Sequence, residues 1–82
     1  MTQRKTSKEE QFMIKAYELA VSKGRAENAV DRYAVAALIG QNNKSTDNIV
    51  QNLAKNGFLR RGEGNTILLT ALGIQFITEN CL

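Results

Sequence analysis

The chain contains no histidine, and its single cysteine, Cys81, stands one position before the last residue. The missing imidazole removes the commonest general base and the commonest metal ligand. A lone thiol cannot form a disulfide within the chain or supply a cysteine-based metal site. No apolar run approaches the length of a membrane span. The first residues are polar and lack the apolar core of a signal peptide, so a reducing, cytoplasmic setting is expected. No low-complexity tract, internal repeat or domain boundary is visible, which argues against a disordered chain.

What is present is 82 residues, 43% of them hydrophobic, enough for one small core and one domain. So small a domain is marginal alone, and pairing with a second copy would stabilise it. The formal charge is +3 and the isoelectric point about 9.3, a mild basic bias compatible with nucleic acid. The excess is local. Residues 1–25 carry six Lys/Arg against three acids, and the remainder carries five of each. Residues 1–7 read as a flexible basic arm and 8–82 as the folded unit.

Helix signals come first. Ser7-Lys8-Glu9-Glu10 has the spacing of a capping box, and Phe12, Met13, Ala16, Leu19 and Ala20 form an apolar stripe behind it. Tyr17 flanks the stripe, and Gly24 suits its C-terminal end. Residues 25–30 have room for a brief edge strand. Asp31 is placed to cap a second, short helix, with Val30 and Val35 at staple spacing. Tyr33, Ala36, Ala37 and either Leu38 or Ile39 are expected to face inward, and Gly40 to end the helix. Gln41-Asn42-Asn43 reads as a turn in which either asparagine could cap a third helix. On that helix Thr46, Ile49, Val50, Leu53 and Ala54 share one arc. Lys44, Asn48, Gln51 and Lys55 share the opposite one, with Ser45 and Asn52 beside them. Asp47, near the boundary, is expected in the first turn, where it would complement the helix dipole. Asn56-Gly57 is a stop signal.

The C-terminal third reads as a hairpin and a helix. Phe58 to Arg61 is a strand with Phe58 reaching the core. Gly62 to Asn65 is a tip, and Thr66 to Leu69 the return strand. Thr70 can cap a last helix from Ala71 to about Glu79, with Leu72, Phe76 and Ile77 inside and Ile74 pointing elsewhere. The expected fold is therefore mainly α with a small β-hairpin, an α+β chain.

The segment from Ser45 to Leu59, together with Leu69-Thr70-Ala71-Leu72-Gly73, resembles the winged helix-turn-helix family, and both patterns are similar to those of MarR-like bacterial repressors. The resemblance covers roughly Lys8 to Ile77. It implies a sequence-specific regulator of transcription that places helix 44–56 in the major groove of double-stranded DNA and wing 60–66 on the backbone. Carried over by position, Lys44, Ser45, Asn48, Gln51, Asn52 and Lys55 would contact DNA. Gln41, Asn42 and Asn43 would meet phosphate at the turn, and Arg60, Arg61 and Asn65 would belong to the wing. No cofactor is implied. The third helix has two lysines and no arginine, and Glu63 sits on the wing, so one copy should bind weakly. A homodimer, through the first helix or through Ile74 and Leu82, would double the contacts.

Three other readings stand beside this one. Winged helices also act as protein-binding adaptors without DNA. Catalysis finds little support, because Gly62-x-Gly64 lacks the rest of a phosphate loop and Glu9, Glu10 and Glu18 are ordinary helix charges. Cys81 could sense oxidants, Tyr17 and Tyr33 could stack on bases, and Arg4, Lys5 and Lys8 could reach phosphate. An incidental thiol, core packing and a solubilising tail explain these features as well.

Overall fold

The computed structural model describes residues 7–80. The basic arm, Arg4, Lys5, Cys81 and Leu82 lie outside them, apart from Ser7. That residue caps the first helix rather than ending an arm. Its hydroxyl accepts from the Glu10 amide at 3.1 Å, and the Glu10 carboxylate accepts from the Ser7 amide at 3.2 Å.

Among the described residues the order is α1 (Lys8–Ser22), β1 (Val30–Asp31), α2 (Arg32–Leu38), α3 (Asn43–Lys55), β2 (Leu59–Arg61), β3 (Thr66–Leu69) and α4 (Ala71–Asn80). The chain is mainly helical with a three-stranded antiparallel sheet in the order β1-β3-β2. β1 pairs Val30 with Ile67, and β2 pairs Leu59 with Leu69 and Arg61 with Ile67. No described helix is long and apolar enough to cross a membrane.

One core serves all four helices and the sheet. Phe12, Met13, Ala16 and Ala20 from α1 meet Val35 from α2, Ile49, Val50 and Leu53 from α3, Leu59, Ile67 and Leu69 from the hairpin, and Ile77 from α4. Each large aliphatic in that set contributes roughly 1.5–3 kcal/mol by leaving water. Asp31 caps α2 as expected, accepting from the Tyr33 and Ala34 amides at 2.8 and 3.2 Å, while Val30 and Val35 are both buried.

Helices α2 and α3 end alike. The Gln41 amide donates to the Ala36 carbonyl at 3.0 Å, and the Phe58 amide to the Leu53 carbonyl at 2.9 Å. Gly40 and Gly57 supply the left-handed residue between, with φ of 72° and 81°.

Several inward assignments change. In α2 only Val35 and Ala36 are buried. Ala37 is exposed and Tyr33 half-buried, and of the alternatives Leu38 and Ile39 it is Ile39 that packs against the core, with Leu38 58% exposed. Seven residues make too few turns to present a wider face, and the inner positions are taken by the pair nearest α1 and α3. Leu19 is half-buried at the edge of the core. In the hairpin Leu59 is the core residue. Phe58 packs at the margin against Phe76, ring centroids 5.2 Å apart.

The largest revision is in α4. Gly73 and Ile77 are its buried residues, Leu72 is 50% exposed, and Ile74 packs against the core rather than away from it. The reason is a close approach. A Cβ on Gly73 would collide with the Phe58 carbonyl oxygen, so the helix lies directly on the start of the hairpin. Thr70 fastens the contact. Its hydroxyl donates to the Gly57 carbonyl at 2.6 Å and accepts from the Gly73 amide at 3.0 Å, and its own amide donates to Phe58 at 3.2 Å.

Gly73→Ala is accordingly expected to cost about 3 kcal/mol, the upper range for overpacking a closed contact, as read from the urea midpoint. A loss below about 1 kcal/mol, within the range of volume-conserving core swaps, would contradict the close approach.

Candidate nucleic-acid interface

Helix α3 sorts its residues by direction. Thr46, Ile49, Val50 and Leu53 are buried, and Ala54 packs beside them. Lys44, Asn48, Gln51 and Lys55 recur at four, three and four residues, so they form one stripe along the helix, and all four are exposed. This stripe of cation, amide, amide and cation has the donors and acceptors that read base edges and phosphates.

Each margin of the stripe is defined by another helix. On one side stands the N-terminus of α1. There Ser45, Asn48, Ile49 and Asn52 line a shallow cleft of about 200 Å³ with Lys8 and Glu9. Asn52 also borders a second groove, about 490 Å³, whose walls include Glu10, Met13, Phe58 and Phe76. Ser45 is half-buried, so it and Asn52 form the edge of the exposed surface rather than its centre. Lys8, named from the sequence only as part of an arm that could reach phosphate, lies here on α1, and Glu9 was not singled out for this face. The adjacency to α3 itself has no local signal in residues 7–10, because the contact is made by helix packing.

On the other side stands the start of α2. Asp47 is not in the first turn of α3, which begins at Asn43 and holds no acid there. One turn further on, its carboxylate is drawn sideways. The Tyr33 hydroxyl donates to Asp47 Oδ1 at 2.9 Å, and Arg32 Nη1 lies 3.5 Å from the same oxygen. The Tyr33 hydroxyl is thus engaged by Asp47. The hydrogen bond to Asp47, with some desolvation and the carboxylate's charge, raises the Tyr33 pKa above the ordinary tyrosine value. Loss of that proton would leave two anions in contact.

The turn residues divide. Asn42 is the N-cap of α3, and its side-chain oxygen accepts from the Ser45 amide at 2.8 Å; the sequence left Asn42 and Asn43 as alternatives. The Asn42 side chain is therefore occupied by a structural task. Asn43 opens the helix and is exposed, while Gln41 is half-buried.

In the hairpin Arg60 and Arg61 are both exposed, but neighbours on a strand point to opposite faces. Arg60 lies across from Leu68, and Arg61 across from Ile67. Since Ile67 and Leu59 face the core, Arg61 is the one on the helix side. Asn65 is exposed at the tip, and its carbonyl accepts from the Arg32 amide at 3.0 Å and from Arg32 Nε at 3.1 Å.

The cations divide into paired and unpaired. Lys15, Arg25 and Arg32 pair with Glu18, Glu27 and Asp47. Among the described residues Lys44, Lys55, Arg60 and Arg61 form no ion pair, and neither do Lys8, beside the stripe, and Lys23, at the end of α1. No group of three or more potential metal ligands occurs among the described residues. Comparison with protein-family models, curated proteins and solved structures returns no match.

Two measurements check this geometry. Asn42→Ala is expected to cost about 1 kcal/mol of stability, and Asn42→Asp to recover most of it. In a Tyr17→Phe background, where Tyr33 is the one phenol, Asp47→Ala should bring its ultraviolet titration back towards the ordinary tyrosine range. Because the pKa is raised in the folded chain, the stability from this bond is complete below the unfolded value and is lost as pH rises through the folded one.

Proposed function

We propose that the chain is a winged helix-turn-helix domain, similar to the MarR-like repressors, and that it acts in the cytoplasm as a sequence-specific DNA-binding regulator. Helix α3 enters the major groove and the wing, residues 60–66, rests on the backbone. The observation that carries the reading is the exposed α3 stripe. Among the described residues its two lysines form no ion pair, its amides are exposed, and the helix's only acid is bonded by Tyr33 and Arg32. The short α2, the capped turn at Asn42 and the hairpin directly after α3 add support from order and spacing.

The footprint is small. Lys44, Lys55 and one wing arginine make about three phosphate contacts, so one copy binds weakly and with a modest salt slope, about −2.7 on logarithmic axes. A two-fold pair of chains reading a palindromic site doubles this number.

The rival reading, an adaptor for protein, would call for a contiguous apolar surface. The large apolar residues most exposed among those described, Val21, Leu38 and Leu72, stand on three different helices, the scatter common on soluble chains.

The test is a fluorescence titration with a random duplex across salt concentrations, followed by variants. Salt-sensitive binding is expected at about 50 mM salt, where phosphate contacts are strong. Arg61→Ala should weaken binding to every sequence and lower the salt slope by about one, whereas Gln51→Ala should cost about 1–3 kcal/mol on preferred sites alone. No binding at low salt contradicts the proposal, and equal losses on all sequences from both variants contradict direct readout by Gln51.

A further inference from the structure

We infer that Arg32 is a positioning residue that fixes the wing relative to α3 and thereby sets base discrimination, an inference that rests on the DNA reading above. The wing leaves α3 at Gly57, and its tip lies beyond the three residues of β2, roughly 10 Å of strand at about 3.3 Å per residue. β1 pins β3 up to Thr66 through the Val30–Ile67 and Asp31–Thr66 pairs, so what is left to fix is the tip relative to α3, and contacts to bases tolerate little displacement there.

Arg32 braces the far end. Its amide and its Nε both donate to the Asn65 carbonyl, at 3.0 and 3.1 Å. The other end of the same guanidinium lies 3.5 Å from Asp47 on α3. The side chain is only 12% exposed although Asp47 is 53% exposed, so the cation is enclosed between tip and helix and is not itself a phosphate contact. One planar fork thus reaches an acceptor on each of the two elements proposed to touch DNA. A lysine carries the same charge on a flexible stem but cannot hold two separated acceptors in a fixed plane.

That difference supplies the test. Arg32→Lys retains the charge, and the backbone bond to Asn65 remains. Two duplexes serve as probes, one of random sequence and the best one recovered by selection from a randomised pool. The variant should bind the random duplex within about twofold of the parent at every salt concentration, because counterion release is unchanged. Its preference for the selected duplex should fall by roughly tenfold, the loss of one well-placed base contact. Residual dipolar couplings measured without DNA should show wing amides and α3 amides sharing one orientation in the parent and departing from it in Arg32→Lys. Unchanged preference, or unchanged couplings, overturns the role of Arg32. A parent chain that binds neither duplex overturns the DNA reading instead, and the couplings then decide whether Arg32 braces the wing.

Discussion

The contact on which the rest depends is the seating of α4 against the backbone of Phe58, possible because residue 73 has no side chain. Thr70 closes it by bonding Gly57, Phe58 and Gly73 at once. The end of α3, the start of β2 and the start of α4 are thereby held at one point. The hairpin leaves α3 at a fixed angle because Gly57 reverses the chain in the left-handed region and Phe58 returns a hydrogen bond to Leu53. The Leu-Thr-x-x-Gly pattern is thus a mechanical joint, with buried Leu69 as its anchor in the core.

From that joint the outward face of α3 follows. Burying Thr46, Ile49, Val50 and Leu53 leaves Lys44, Asn48, Gln51 and Lys55 no direction but solvent. The neighbours then trim the face. The α1 terminus crowds Ser45 and Asn52, and α2 reaches across to Asp47. What remains is a narrow strip with cations at both ends and amides between. Such a strip suits a groove better than a broad protein surface, and it is the basis of the DNA reading.

Much of the architecture was legible because its signals are local. Ser7, Asp31 and Thr70 were readable as caps from their own side chains and the residues that follow. The hairpin was readable from two glycines between apolar runs, and the two faces of α3 from periodicity alone. Features that depend on distant partners were not legible. Leu72 resembles a core residue until Gly73 is seen to set which side of α4 lies down. Asp47 resembles a dipole partner until Asn42 is fixed as the cap, which moves the acid into the second turn. Ala37 loses its place because α2 is so short. Arg32 gave no sign of its role, since Asn65 lies 33 residues away in sequence. The candidate DNA residues divided accordingly. Those on the α3 stripe are displayed together, while Asn42 is a cap and Arg60 and Arg61 face opposite ways.

The most direct measurement is a backbone amide map of the chain titrated with a short duplex at low salt. The largest shifts are expected on the outward positions of α3, from Lys44 to Lys55, and on residues 60–65, and added salt should reverse them. A spectrum that does not respond to duplex would contradict the DNA reading, as would shifts centred on Val21 and Leu72 with α3 unmoved.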